Sequence, residues 1–441
     1  MCTTIIVGKN RSATGSVLLA HSEELGRNSA HKVEVSAQRA VKTGESFPLY
    51  SGGALPQPAQ LARYLATKVF DKNHYPGEHT CGVNEYGVTA ANNMAMMRGI
   101  PEARAYDVIA NGIIWTEFVQ LALERATSAR AGAALIGELC GARGLSCDSG
   151  TMVAVADCDD AWWIELARDG QWVAQRVGPD EISLRANCYR IGVVDFDDHD
   201  NFMASPALRD HAREQGWYTD GPLDFAAIYG DPANQNDAYN LDRHTVLEGR
   251  WQGLQKVAVA DLMRFMRDVF AGTPLYKTRD NGSPFRTAAR TIARMNTEMS
   301  AIIELRRDLP SQLGNLMWCN MATSLTGVYL PFHLGITAIE PHFARASGSY
   351  DSACAYWLFV ELARLADSSY AKCIDAITSA WRSFEDEGFA TLPAVEARAA
   401  ALEPTAACAL LTEYDNNRAA AAIARAHHLL ADVKTKAFYE S

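Results

Sequence analysis

The chain has 441 residues, 48% hydrophobic and 21% charged, a composition that supports a large buried core and excludes a disordered chain. Its 41 Lys and Arg against 52 Asp and Glu leave a net charge of −11, without the basic footprint of a nucleic-acid binder. No apolar run reaches the roughly 18 residues a membrane span needs, so neither nucleic acid nor membrane is an expected partner.

The N-terminal stretch MCTTIIVGKN has no basic region followed by a long apolar run, so no signal peptide is expected. Ten cysteines are scattered singly, none in a CxxC pair, which disfavours zinc ribbons and thioredoxin-like motifs and fits a reducing cytoplasm. Cys2–Lys9 and Ser16–Ser22 are β-like runs joined by a polar turn. Cys81–Asn84 and Val88–Asn92 flank Glu85-Tyr86-Gly87, a second hairpin signal. Trp115–Leu145 carries apolar residues at helical spacing, with Thr127 and Ser128 dividing it into two helices. Met152–Ala156, Trp162–Leu166 and Gln171–Val177 predict an antiparallel meander, and Ile182–Asn187 a further strand.

From about 189 to 255 the chain is rich in Asp, Asn, Gly and aromatics and reads as an irregular excursion with short helices. Lys256–Phe270 is predicted helical, and Asn315–Asn320 with Thr326–Phe332 a last hairpin. Residues 347–441 form a helical C-terminal region, with Pro393 and Pro404 as breakers. Strands before and after the helical pair predict one interleaved α+β domain over 1–441. The Ala-rich end suits subunit packing and monomeric cladding equally, so a homo-oligomer stays open.

Position 2 carries the chemistry. An initiator Met before a small residue is usually trimmed, which would leave Cys2 with both a thiol and a free α-amine. Their reference pKa values, about 8.5 and about 7.7–8.0, are close enough for the amine to take the thiol proton. One residue then supplies nucleophile and base. Taken alone, a cysteine at this position is most often an ordinary buried residue.

Trp162 and Trp163 read as core, the His427-His428 pair as a solvated helix face, and Asp195–Asp200 as a solvated acidic loop without EF-hand spacing. His74 and His79 have no Cys or carboxylate partner at ligand spacing, so no metal is expected. Gly52-Gly53 and Gly282 fit no phosphate-binding loop.

In order along the chain stand CTTIIVG, LLAHSEEL, GVNEYGV at 82–88, LALERATSAR at 121–130 and ADCDDAWWIEL at 156–166. RANCYRIG at 185–192, LDFAAIYGDP at 223–232 and TGVYLPFHLGIT at 326–337 continue the series. This set resembles the cysteine dipeptidases of the dipeptidase A type, N-terminal-nucleophile hydrolases. The resemblance implies a four-layer αββα sandwich of two antiparallel sheets with extra C-terminal helices. It implies Cys2 as nucleophile at a sheet edge, with no cofactor.

The family's second strand typically ends Arg-Asn-Glu-Asp, where this chain reads His21-Ser22-Glu23-Glu24. The resemblance makes Glu24 a catalytic acid that orients the nucleophile's amine, and Glu23 and His21 substrate-binding residues. A His in place of Arg weakens a substrate-carboxylate contact or makes it pH-dependent. Asn187 matches an Asn whose side-chain amide stabilises a tetrahedral oxyanion. Asn92 and Asn93 are equal candidates for a second Asn of the site. The implied activity is hydrolysis of an amide bond in a small peptide through an acyl-enzyme. An acyltransferase on the same machinery, or a binding protein with a degenerate site, are the alternatives.

Overall fold

The computed structural model describes residues 2–24, 29–70, 76–100 and 107–439. His74, set aside above as a metal ligand, lies outside them. Two antiparallel sheets face one another. The six-stranded sheet runs Ile182–Arg185, Thr3–Val7, Leu18–Glu23, Met299–Leu305, Asn315–Met321, Leu330–His333. The eight-stranded sheet runs Phe202–Ala204, Trp172–Arg176, Ala161–Leu166, Gly150–Ala156, Thr89–Ala95, Pro76–Asn84, Tyr64–Phe70, Ala30–Ser36.

Side-chain alternation divides the six-stranded sheet between two cores. Ile6, Leu19, Ala301 and Ile303 point into the cluster between the sheets. Ile5, Leu18, Ala20 and Ile302 point outward, against Leu262, Met263 and Met266 of the helix Val259–Met266. On the far side, the helices Trp115–Arg125 and Ala129–Arg143 cover the eight-stranded sheet. The order of layers is helix, sheet, sheet, helix, as expected. The helices Ala355–Ser368, Tyr370–Ala400 and Pro404–Tyr439 close the side of the sandwich.

Ser128 divides the first helical pair by capping the second member, its hydroxyl accepting from Ala131 N. Gly87 takes the hairpin turn with φ 75°, a conformation that suits glycine. Pro393, expected to break the C-terminal helix, lies inside Tyr370–Ala400. Its missing N–H costs a helix bond, but anchors beyond it hold the turn: Glu396 pairs with Arg306 at 2.7 Å and with His333 at 3.1 Å. Pro404 does stop a helix, standing at the start of the next. Among the described residues no helix is long and apolar enough to cross a membrane.

The readings of the tryptophan and histidine pairs hold. Trp162 and Trp163 are buried, His427 and His428 are exposed, and Gly52, Gly53 and Gly282 occupy turns of positive φ.

Candidate active site

The register of the first strand builds the site. Thr4 stands opposite His21 on one neighbouring strand and opposite Arg185 on the other. Two residues back along the same ladders, Cys2 falls opposite Glu23 and opposite Asn187. Alternation then turns Cys2, Thr4, His21 and Glu23 toward the space between the sheets.

The contacts follow that register. The Cys2 thiol donates to Glu23 Oε1 at 3.2 Å. The Cys2 nitrogen, a peptide nitrogen while Met1 is attached, donates to Asn187 Oδ1 at 3.1 Å. On removal of Met1 this atom becomes the α-amine. The Cys2 carbonyl accepts from Arg243 Nη1 at 2.8 Å. Arg243 Nη2 donates to Asn187 Oδ1 and to Asn240 Oδ1, both at 3.0 Å. With two donors on its oxygen, and its Nδ2 on Met94 O at 2.9 Å, the Asn187 amide has one satisfactory orientation.

Glu23 connects the thiol to a second chain of bonds. Its Oε2 lies 3.2 Å from His21 Nε2. His21 Nδ1 lies 2.7 Å from Thr4 Oγ1, and Thr4 donates to Asn93 Oδ1 at 2.5 Å. Because Thr4 spends its one proton on Asn93, it accepts from Nδ1, so both imidazole nitrogens face acceptors. Asn93 Nδ2 in turn donates to the carbonyls of Arg185 and Ala186 at 3.0 and 2.9 Å, fixing the segment that carries Asn187.

A buried pair supports that segment from the other sheet. Arg185 Nε bonds Glu165 Oε1 at 2.9 Å, and Glu165 also accepts from the backbone nitrogens of Arg190 and Ile191.

The electrostatics oppose a free thiolate while the chain begins at Met1. Burial first, then the Glu23 charge, pushes the Cys2 thiol up to about 12. Burial also works against ionised Glu23, but the His21 hydrogen bond and charge hold its carboxyl below the usual range. Burial, then the charge of Arg243, brings Arg290 down to about 9.

The structure sorts the candidates from the sequence. Cys2, His21, Glu23, Asn93 and Asn187 form one connected cluster. Asn92 does not join it: alternation turns it to the opposite face of its strand, the helix side, where Gly82 backs onto Leu123. Glu24 also leaves the inter-sheet side. It accepts from Ser22 Oγ at 3.4 Å and lies 3.7 Å from Arg290 Nη2, so the carboxylate beside the thiol is Glu23.

Arg243, Asn240, Thr4 and the Glu165–Arg185 pair escaped sequence reading. Arg243 left a signal, since it shares a buried helix face with Asn240, Val246 and Leu247. A fully buried arginine on such a face needs polar partners.

The chain is similar to a probable dipeptidase of Salmonella dublin, 28% identical over 363 residues, covering 77% of this chain and 82% of that one. It is 26% identical over 384 residues to a probable dipeptidase B of Streptococcus pyogenes serotype M1, covering 81% and 76%. Among solved structures, a C2A mutant of the conjugated bile acid hydrolase from Clostridium perfringens matches with a TM-score of 0.41 at 10% identity, over 76% of this chain and 92% of that one. Residues 1–383 match the profile of peptidase family C69. The chain therefore belongs to peptidase family C69, whose chemistry is the hydrolysis of amide bonds.

Proposed function

We propose that the chain is a cytoplasmic hydrolase of small peptides, dipeptides first among them, acting through a thioester on Cys2 once Met1 has been removed. The names of the relatives support the dipeptide, and ten free cysteines support the reducing compartment. The observation that carries the mechanism is that nitrogen and sulfur of one residue are each held by a separate side chain, Asn187 and Glu23.

In the mature chain the α-amine takes the thiol proton, and the resulting ammonium offsets the Glu23 charge beside the sulfur. The thiolate attacks the carbonyl carbon of the scissile amide. As the tetrahedral intermediate collapses, the C–N bond breaks and the ammonium gives its proton to the leaving amine. Water then attacks the thioester, losing a proton to the amine. The C–S bond breaks, the acid leaves, and the proton returns to sulfur.

Asn187 acts here first as the residue that positions the amine, with its remaining N–H offered to the oxyanion. Asn93 and Thr4 position His21, and Glu23 and His21 meet the polar end of the substrate. Glu24 acts one step removed, as counter-ion to Arg290. One apolar cluster from Ile6 to Val433 supports reading residues 1–441 as a single domain.

The test is release of free amino acid from a dipeptide panel, with intact mass spectrometry to trap the acyl group on Cys2. Full turnover by Cys2→Ala would sink the mechanism. Diversion of product into a new amide by added amines would make the chain an acyltransferase.

A further inference from the structure

Beside its part in hydrolysis, the cluster at Cys2 has the composition of a metal site. The Cys2 sulfur, a His21 nitrogen and a Glu23 oxygen all lie within 4.8 Å of one another, on three buried residues. The sulfur lies 3.2 Å from Glu23 Oε1, and His21 Nε2 lies 3.2 Å from the other oxygen, Oε2. Zinc bonds of about 2.3 Å to sulfur and about 2.0–2.2 Å to nitrogen and oxygen give tetrahedral ligand–ligand edges of roughly 3.3–3.6 Å. Both contacts are near the edge length zinc requires, though made by different oxygens, and turning one Glu23 oxygen between the sulfur and the imidazole brings three donors around one ion.

Two further features favour a metal. The imidazole is oriented from behind, Nδ1 against Thr4 Oγ1 at 2.7 Å with Thr4 fixed on Asn93, which leaves Nε2 to point at the carboxylate. Such outer partners are how protein zinc ligands are held. Removal of Met1 also creates a fourth donor at the right place, because the α-amine and thiolate of one cysteine close a five-membered chelate ring on a metal. An arginine at position 21, typical of the dipeptidases this chain resembles, would offer no lone pair.

We propose that the mature protein binds one zinc ion through the sulfur and amine of Cys2, His21 Nε2 and Glu23, and that bound zinc inhibits the peptidase. Coordination forms the metal–sulfur bond as the thiol proton leaves to solvent. It occupies the nucleophile and the base together. The inhibition rests on the mechanism proposed above; the binding does not, and is read without turnover.

The experiment uses full-length protein shown by intact mass to begin at Cys2, in a phosphine reductant. Zinc content after gel filtration is measured by elemental analysis. Cobalt(II) is added in parallel to look for a thiolate-to-metal absorption band in the near ultraviolet. Iodoacetamide labelling, localised by peptide mass spectrometry, reports on Cys2 separately from the other nine cysteines.

One equivalent of zinc, a cobalt–thiolate band and at least a tenfold slowing of Cys2 alkylation are expected. His21→Gln should weaken zinc binding at least tenfold, and Thr4→Val by about tenfold through the imidazole it orients. Unchanged Cys2 alkylation at saturating zinc overturns the site, and this reading needs no variant. Equal zinc affinity in His21→Gln also overturns it. A protein that binds zinc and hydrolyses no peptide would sink the proposed function and leave the metal site standing; the reverse result would do the opposite.

Discussion

Arg243 holds Cys2 from 241 positions away in sequence, its Nη1 on the Cys2 carbonyl at 2.8 Å. The same guanidinium reaches Asn187, so one buried fork aligns Cys2 with the residue that receives its nitrogen. Arg243→Met should leave the Cys2 carbonyl and two amide oxygens short of a donor. A stability loss of about 1–3 kcal/mol in urea denaturation is expected, with kcat reduced at least tenfold. Arg243→Lys keeps the charge but not the planar fork, and should recover part of the stability and little of the rate.

Activity should depend on a free N-terminus at Cys2. A chain carrying a protease-removable extension before Cys2 should be inactive and gain turnover on cleavage. Cys2 alkylation near pH 8 should also be slow in the extended chain, since burial and Glu23 push the thiol up to about 12. Equal activity before and after cleavage would remove the amine from the mechanism.

Asn187 contributes through both ends of its amide. Asn187→Ala should lower kcat by about 10²–10³, the range for losing one oxyanion donor, with a smaller change in KM. Asn187→Asp offers the acceptor to the Cys2 nitrogen but cannot donate to Met94, and should be no better than Ala. A change confined to KM would assign Asn187 to binding alone.

Glu165 tests the support behind that segment. Glu165→Ala strands Arg185 without its buried partner, and a loss of about 3–5 kcal/mol is expected. Arg185→Met with Glu165→Leu should recover much of the stability. It should not recover the rate, because the backbone nitrogens of Arg190 and Ile191 still lack their acceptor.

A pH dependence of stability should come from His333. Burial disfavours its charged form, but the Asp415 carboxylate, and then Glu396, raise it from the ordinary histidine value to about 9. The imidazolium bonds Asp415 at 3.0 Å and Glu396 at 3.1 Å, joining the last strand of the six-stranded sheet to two C-terminal helices. With the folded pKa above the unfolded one, this contribution is complete below about pH 6.5 and is lost as pH rises through 9. Tm should fall between pH 6.5 and 9.5, and His333→Gln should flatten that slope. An equal slope in the variant would place the titration elsewhere.

Much of the sandwich was legible because hairpins with local turns announce themselves. The meander Gly150–Ala156, Ala161–Leu166, Trp172–Arg176 and the paired Asn315–Met321 and Leu330–His333 are of that kind. Met299–Leu305 was missed. Buried on both faces, MSAIIEL shows no alternation, and its partner Leu18–Glu23 lies about 280 residues earlier. Ala30–Ser36 and Tyr64–Phe70 were missed as well, since their pairing spans a long loop with small hairpins of its own.

At the site, position 2 suggested a chemistry that the resemblance then favoured for Cys2, and Asn187 and the His21–Glu24 run came from the resemblance as well. The division of labour between Glu23 and Glu24 depends on strand parity, which only the ladder fixes. Arg243 depends on a helix docking from outside the sheet.

The strand Thr3–Val7, which follows Cys2 directly, has a neighbour on either flank, Ile182–Arg185 and Leu18–Glu23. Its backbone edges are therefore taken, so neither flank of this strand is open to a further pairing strand. A residue kept ahead of Cys2 ties its nitrogen into a peptide bond, so under the proposed mechanism even a single surplus residue acts as a latch. For anyone producing the protein, a purification handle belongs at the carboxyl end.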